Sequence, residues 1–208
     1  MKPSAAHLRA LARRDAVLGA AIRRHGPVPE YPEPATRRMP AYAFLARSIC
    51  FQQLAGAAAS TIWKRACALT PGAGFPPPAD FLGLTEQELR AAGLSRNKQA
   101  AMRDLAQHFA RGALNPVALA RRSDEEVIES LTQVRGIGRW TAQMYLIFKL
   151  GRLDVLPATD LGVQEGARRL YGLRSRPDPK RLERVAAQWA PLRSVGAWIC
   201  WAAADAEG

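Results

Sequence analysis

Apolar residues return at three- and four-residue spacing along nearly the whole of this chain. No segment shows the strict two-residue alternation, bounded by turn signals, of a half-buried strand. The pattern predicts an all-α protein. A first helix is expected over about residues 4–24, stopping at Gly26. The stretch PVPEYPEPATRRMP, with five prolines, then has to cross the surface as an extended segment. AYAFLARSICFQQLAGAAASTIWKRACAL supplies one or two helices broken near Gly56, and TPGAGFPPPAD is a second irregular connection. Two helix starts are unusually legible. Thr85 with Glu88, and Ser123 with Glu126, each fit the capping box, in which two side chains satisfy otherwise orphaned amides. Gly93 closes the first of these helices, and SRNKQAAMRDLAQHFARG forms the next, ending at Gly112. Helices over 124–133, 139–150, 161–171, 179–189 and 192–203 complete the set. There is no internal repeat and no low-complexity tail.

A chain of 208 residues with 48% hydrophobic content can build one compact domain or two small lobes. Its 30 Lys and Arg against 18 Asp and Glu leave a net charge of +12 and a pI near 10.6. Such a field favours a polyanion, nucleic acid first, over a neutral metabolite. An arginine-rich proteome would produce the same excess, so charge alone decides little. Cys50, Cys67 and Cys200 are odd in number and far apart, which fits neither a disulfide framework nor a zinc or iron-sulfur site. His7, His25 and His108 form no metal spacing and no triad. Arginines interrupt the apolar residues of the first segment, and no run reaches membrane-spanning length. The expectation is a cytoplasmic protein with no membrane association.

The chemistry concentrates in RGIGRWTAQMYLIFKLGRLDVLPATDLGVQ, residues 135–164. SLTQVRGIGRWTAQMYLIFKL reads as a helix, a tight turn carrying Gly136 and Gly138, and a second helix from about Arg139. Glycine there permits unusual backbone angles and lets amides approach a ligand closely, and amides at a helix N-terminus bind phosphate. On its own a G-x-G between helices is equally an ordinary tight corner.

Together, GIGRWTA and DVLPATDLGVQ resemble, nearly residue for residue, the helix-hairpin-helix (HhH-GPD) DNA glycosylases, and most closely those of the 3-methyladenine DNA glycosylase II (alkylbase) type. RSICFQQLAGAAASTIWKRA, LRAAGLSRNKQAAMRDLA and QWAPLRSVGAWICWAA extend the likeness over most of residues 41–203. The resemblance implies two helical lobes, about 41–150 (with the hairpin at 124–150) and 1–40 plus 151–208, with a substrate cleft between them and no N-terminal β-rich domain. It implies a monofunctional base excision repair enzyme acting as a monomer on double-stranded DNA, at the nucleoid in a bacterial cell. By the same resemblance Gly136, Ile137, Gly138, Arg139 and Thr141 bind a DNA backbone phosphate. The carbonyls of Thr132, Val134 and Gly136 would hold a structural Na+ or K+, and no cofactor is needed for catalysis.

Asp160 matches the family's aspartate at the mouth of the base pocket. Breaking an N-glycosidic bond leaves positive charge on the sugar, which a fixed carboxylate stabilises, or for which it orients the attacking water. The start of a helix at about Leu161 would set that carboxylate near orphan amides and a positive dipole end. Thr159 or Asp160 as a plain N-cap is the ordinary alternative, and the two roles are compatible. Asp154 fits a structural contact before the strand-like DVLP crossing. Trp140 stands where relatives that also cut the backbone carry a Schiff-base lysine. Among the five lysines, Lys149 reads as a solvated cation near a helix end. The resemblance therefore implies base release without strand cleavage.

Base flipping leaves a gap to be plugged. The resemblance makes Gln53 or Leu54 of FQQLA the wedge; otherwise Leu54 is core and both glutamines are solvated. Trp140 and Trp201 match aromatic pocket positions, where a cationic alkylated base would stack on indole by about 0.5–2 kcal/mol, unless they are core tryptophans. Met144 and Leu161 stand at pocket positions where some relatives have tyrosine, which shifts the substrate range. Arg193 and Ser194 precede the last helix, as a phosphate contact or a solvated arginine. Competing readings are a non-catalytic hairpin DNA-binding protein and a glycosylase for oxidised or mismatched bases.

Overall fold

The computed structural model describes residues 3–26, 28, 30, 32–72 and 74–206. Every regular element among them is helical, so the all-α expectation holds. None of these helices is long and apolar enough to cross a membrane. The chain divides into two compact units, Pro34–Tyr145, and Met1–Glu33 with Leu146–Gly208. The single helix expected over 4–24 is two, α1 (Ala5–Arg14) and α2 (Ala16–His25), broken at Asp15, whose backbone is extended at φ −131° and ψ 95°.

In the 34–145 unit, α3 (Pro34–Arg38) forms inside the stretch expected to run extended, of which Pro27, Pro29 and Tyr31 lie outside the described residues. Two further short helices, α6 (Pro78–Gly83) and α9 (Pro116–Arg121), also begin on proline. Proline suits a first helical position because the missing N–H would be orphaned anyway and φ is already helical. The segment expected to hold one or two helices holds α4 (Ala41–Phe51) and α5 (Gly56–Cys67). Both capping boxes are present. Thr85 starts α7 (Glu86–Ala91) and Ser123 starts α10 (Asp124–Thr132), each with side-chain and backbone bonds exchanged with the glutamate three residues on. The 15-residue α8 (Arg96–Ala110) is the spine, against which α4, α6 and α7 pack, while α10 packs on α11 (Arg139–Met144). The rings of Trp63 and Phe75 stack 4.8 Å apart, and Phe75 also meets Tyr42 and Phe81. At about 1.5–3 kcal/mol per fully buried large apolar side chain, this core outweighs the weak intrinsic stability of such short helices. After Met144 the helix expected to run to 150 widens into a π turn, Tyr145–Lys149.

The other unit gathers α1 and α2 with α12 (Leu161–Leu170), α13 (Pro179–Ala186), a 3₁₀ turn at Ala187–Trp189, and α14 (Arg193–Asp205). Its core includes Leu11, Leu18, Val163, Leu182, Trp189 and Ile199. Asp15 explains the break between α1 and α2. Its carboxylate is buried, accepts the Leu18 amide at 2.9 Å and the Trp189 indole N–H at 3.1 Å, and also receives the Tyr171 hydroxyl. A buried carboxylate requires such donors, and they fix where the first helix must turn. Burial, then the bond to Asp15, pushes the Tyr171 phenol far above its ordinary range.

The tightest contact in this unit is between α12 and α14. A Cβ on Gly166 would lie 1.9 Å from the Cys200 carbonyl oxygen and 2.5 Å from its Cα, so the two backbones touch. Residues 153–157, which belong to no regular element, reach α12 along the start of α14. Ser194 Oγ donates to Arg152 O at 2.8 Å and accepts from the Val155 amide at 3.0 Å. Asp154 receives Arg193 Nε and Nη2 at 2.8 Å each, together with the Arg193 amide. Burial alone would raise the Asp154 carboxyl, but the bonds from Arg193 outweigh it and hold it below the usual range. Asp154 is thus the structural contact expected, whereas Arg193 is engaged within the fold and Ser194 is buried. Gly166→Ala should cost at least about 2 kcal/mol, because backbone atoms cannot yield to a new methyl. Thermal unfolding should show this as a fall in Tm of roughly 4–8 °C at about 2–4 °C per kcal/mol. An unchanged Tm would mean the helices do not cross this closely.

Candidate functional site

The hairpin sits at the end of the 34–145 unit, and its two glycines do different work. Gly136 has φ +79°, and a Cβ there would come within 3.1 Å of Ala101 on α8, so the turn itself requires glycine. Gly138 is extended at φ −93°, ψ 175°, and a Cβ on it would meet nothing within 4 Å. The packing of the fold does not require glycine at 138. Gly138 also begins α11 without a side-chain cap, which leaves the amides of that first turn without the usual internal acceptor. Ile137 between the glycines is buried and donates its amide to Val134 O at 3.0 Å. Asp104 of α8 accepts the Arg135 amide at 2.8 Å and fixes the approach to the turn.

The remaining hairpin positions separate into buried and exposed. Thr141 is 3% exposed, and its hydroxyl oxygen faces Gln52 Nε2 at 3.5 Å. Arg139 forms two bonds to Glu125, at 2.6 and 2.8 Å, with both side chains well exposed. Trp140 is 43% exposed, a large indole face on a six-residue helix, while Met144 one turn later is buried. The carbonyls of Val134 and Gly136 each accept a bond already, from Ile137 and from the side chain of Gln52. A carbonyl oxygen has two lone pairs, so each keeps capacity for a further contact.

Gln52 is the residue that the sequence pattern did not reveal. Its amide nitrogen donates to Gly136 O at 2.9 Å and tethers the FQQLA turn to the hairpin. The dihedrals of Gln52, φ −57° and ψ 133°, followed by φ 56° at Gln53, are those of a type II turn whose third position normally takes glycine. Gln53 is the single non-glycine residue with positive φ among the described residues. Its side chain and that of Leu54, which is 38% exposed rather than core, project outward. Strain of this kind, about 1–2 kcal/mol, is retained where the surroundings enforce it, most often at functional sites.

Asp160 belongs to the other unit and is the N-cap of α12. Its Oδ1 accepts the Val163 amide and the Trp201 indole N–H, each at 2.9 Å. A helix N-terminus and two N–H donors present positive partial charge to the half-buried carboxylate. The indole reaches it because α12 lies so close on α14: a Cβ on Gly162 would come 2.9 Å from Trp201 Cδ1 and 3.2 Å from Asp160 Oδ1. Phe148 stacks on Trp201 with ring centroids 5.7 Å apart and planes 28° apart, and the π turn sets its direction. Trp201 therefore carries the carboxylate as well as presenting a ring. Leu161, beside Asp160, is 64% exposed. Lys149 is partly buried rather than solvated, and burial pulls its ammonium below the ordinary range. The described residues hold no group of three or more His, Cys, Asp or Glu that could bind a metal ion.

The profile of the HhH-GPD superfamily of base excision DNA repair proteins matches residues 46–192, which span the hairpin, the FQQLA turn and Asp160. The chain belongs to this family. DNA-3-methyladenine glycosylase 1 of Schizosaccharomyces pombe is 37% identical over 161 residues, 77% of this chain and 71% of that protein. Among solved structures, the S. pombe 3-methyladenine DNA glycosylase in complex with abasic DNA superposes with a TM-score of 0.84 at 31% identity. The match covers 94% of this chain and 95% of that one. A DNA-3-methyladenine glycosidase from Bacillus halodurans gives 0.86 at 34%, over 99% and 92%. Membership in the HhH-GPD family agrees with the resemblance read from GIGRWTA and DVLPATDLGVQ.

The backbone at Gln53 makes its own prediction. Gln53→Gly relieves about 1–2 kcal/mol of left-handed strain and gives back about 0.5–1 kcal/mol of chain entropy, for a net change between zero and a gain of about 1.5 kcal/mol. Thermal melts should show Tm equal to wild type or up to about 6 °C higher. A lower Tm would mean that the Gln53 side chain helps hold the fold and is not held out for another purpose.

Proposed function

We propose that this protein is a monofunctional DNA glycosylase of base excision repair that hydrolyses the N-glycosidic bond of alkylated bases such as 3-methyladenine. Family membership and relatives named for that activity support the reaction class. The observation that carries the mechanism is the bonding of Asp160: a carboxylate at a helix start, pinned by an amide and an indole N–H.

In this reading the uncapped start of α11 and Gly138 hold a backbone phosphate without reading sequence. The carbonyls of Thr132, Val134 and Gly136 would hold an alkali ion that firms the turn. Gln53 or Leu54 fills the space left by the flipped nucleotide. The exposed indole of Trp140 offers a face to a cationic base, an attraction of about 0.5–2 kcal/mol. As the bond to the base lengthens, positive charge grows on the sugar, and Asp160, already fixed by its two donors, stabilises it without reorganising. Water completes the hydrolysis. An alkylated purine that carries positive charge leaves as a neutral base, so no acid has to protonate it. Trp140 occupies the place of the Schiff-base lysine of backbone-cutting relatives, so strand cleavage is not expected. The reading carries with it a monomer acting on damaged double-stranded DNA in the cytoplasm.

Asp160→Asn preserves a good N-cap while removing the charge. Single-turnover release of bases from methylated duplex DNA should slow by about 10²–10⁴ with DNA binding largely retained. Full activity in that variant would end the assignment. Trp201→Phe keeps a ring against Phe148 but deletes the donor to Asp160. The loss of a hydrogen bond to a charged group, about 1.5–3 kcal/mol, predicts a roughly 10- to 100-fold slower step with little change in KM. An equal rise in KM at constant kcat would instead make Trp201 a base-binding surface alone.

A further inference from the structure

The 34–145 unit contains a cavity of about 500 Å³ lined by Arg90, Leu94, Ser95, Arg96, Asn97 and Gln99, none of which has a role in the chemistry above. Leu94 and Gln99 are buried, and the Gln99 side chain donates to Leu94 O at 2.9 Å, so this part of the lining is rigid. Arg90 is exposed on the last turn of α7, and Arg96 and Asn97 are exposed on the first turn of α8. Neither Arg90 nor Arg96 forms an ion pair among the described residues. Nearby cations in the same unit are consumed by the fold: Arg103 donates to the Leu82 and Leu84 carbonyls, and Lys98 donates to Cys50 O at 2.6 Å. Two guanidinium groups on one cavity without a counter-charge repel each other, and an anion between them removes that cost.

The chain ties this cavity to the other features of the same unit. Lys98, two residues after Arg96, bonds to Cys50 at the end of α4, and Gln52, two residues after Cys50, bonds to Gly136. The residues that lead into the turn carrying Gln53 and Leu54 are therefore anchored both to the helix that bears the cavity and to the hairpin. Asp104 of the same helix holds the Arg135 amide, so α8 fixes both.

We infer that this cavity receives a backbone phosphate of the DNA other than the one at the hairpin, held by Arg90 and Arg96 with Ser95 and Asn97 at its edge. Guanidinium groups bind phosphate oxygens in paired, directed hydrogen bonds. The volume greatly exceeds that of a bare phosphate and accommodates the attached sugar as well. Two phosphate grips joined through one turn hold a duplex on the frame from which Gln53 and Leu54 project. The inference rests on the glycosylase reading for its ligand, but its test does not depend on base release.

The double variant Arg90→Gln/Arg96→Gln should be compared with wild type for binding to an undamaged duplex between about 50 and 200 mM KCl. One lost phosphate contact lowers the slope of log K against log salt by about 0.9, with affinity several-fold weaker at the low-salt end. Excision from methylated DNA at saturating enzyme should stay within about twofold of wild type. An unchanged slope in a variant that melts like wild type overturns the inference. A cavity that serves free phosphate shows a Tm increase with inorganic phosphate that the double variant loses while the DNA slope is unchanged, and this too overturns it. Should the double variant lose its cooperative melt, Arg96→Gln alone is read in the same way. A wild-type protein that releases no alkylated base but shows the arginine-dependent slope would sink the glycosylase reading and leave the cavity's ligand standing.

Discussion

The approach of α12 to α14 at Gly166 decides where the Asp160 carboxylate can be. With the Cys200 carbonyl 1.9 Å from where a Cβ would stand, no other residue type fits at 166 without moving a backbone. Gly162 continues the same contact one turn earlier, and Trp201 lies against it with its indole N–H on Asp160. Helix starts commonly carry an aspartate; here a second N–H donor, from α14, shares the same oxygen. The crossing converts an ordinary cap into a carboxylate with a fixed direction, and such preorganisation is what electrostatic catalysis requires. The surrounding devices serve that placement: Asp154 with Arg193 and Ser194 with Val155 tie the strand-like approach to α14, and Asp15 pins α1 and α2 onto Trp189.

A parallel logic governs the 34–145 unit, where α8 acts as the spine. It supplies Ala101 against Gly136, Asp104 to the Arg135 amide, and Lys98 to the end of α4. The hairpin and the FQQLA turn are held from the same helix and bonded to each other through Gln52. The positive φ of Gln53 follows directly on residues fixed in this way.

Much of this was readable in the residues. The capping boxes at Thr85 and Ser123 are local events, and both formed as their spacing requires. The all-helical pattern and the kinship carried by the hairpin and Asp160 were equally legible, since each rests on neighbours along the chain. What escaped were consequences of contacts distant in sequence. The break at Asp15 depends on Trp189 and Tyr171, more than 150 residues away. The bonds of Trp201 to Asp160 and of Gln52 to Gly136 have no periodic signal. The short helices α3, α6 and α9 hid behind the prolines that begin them. The difference between Gly136, which the turn needs, and Gly138, which it does not, appears only in the backbone angles.

The central claim is that Asp160 meets positive charge on the sugar. Its most direct measure is the affinity for duplex DNA carrying a cationic pyrrolidine in place of the damaged nucleotide's sugar, relative to a neutral tetrahydrofuran analogue. Wild-type protein should prefer the cation by at least about tenfold, roughly 1.4 kcal/mol, and Asp160→Asn should abolish the preference while binding the neutral analogue as before. A preference that survives in the Asn variant would show that the charge on the sugar is met elsewhere and would contradict the account.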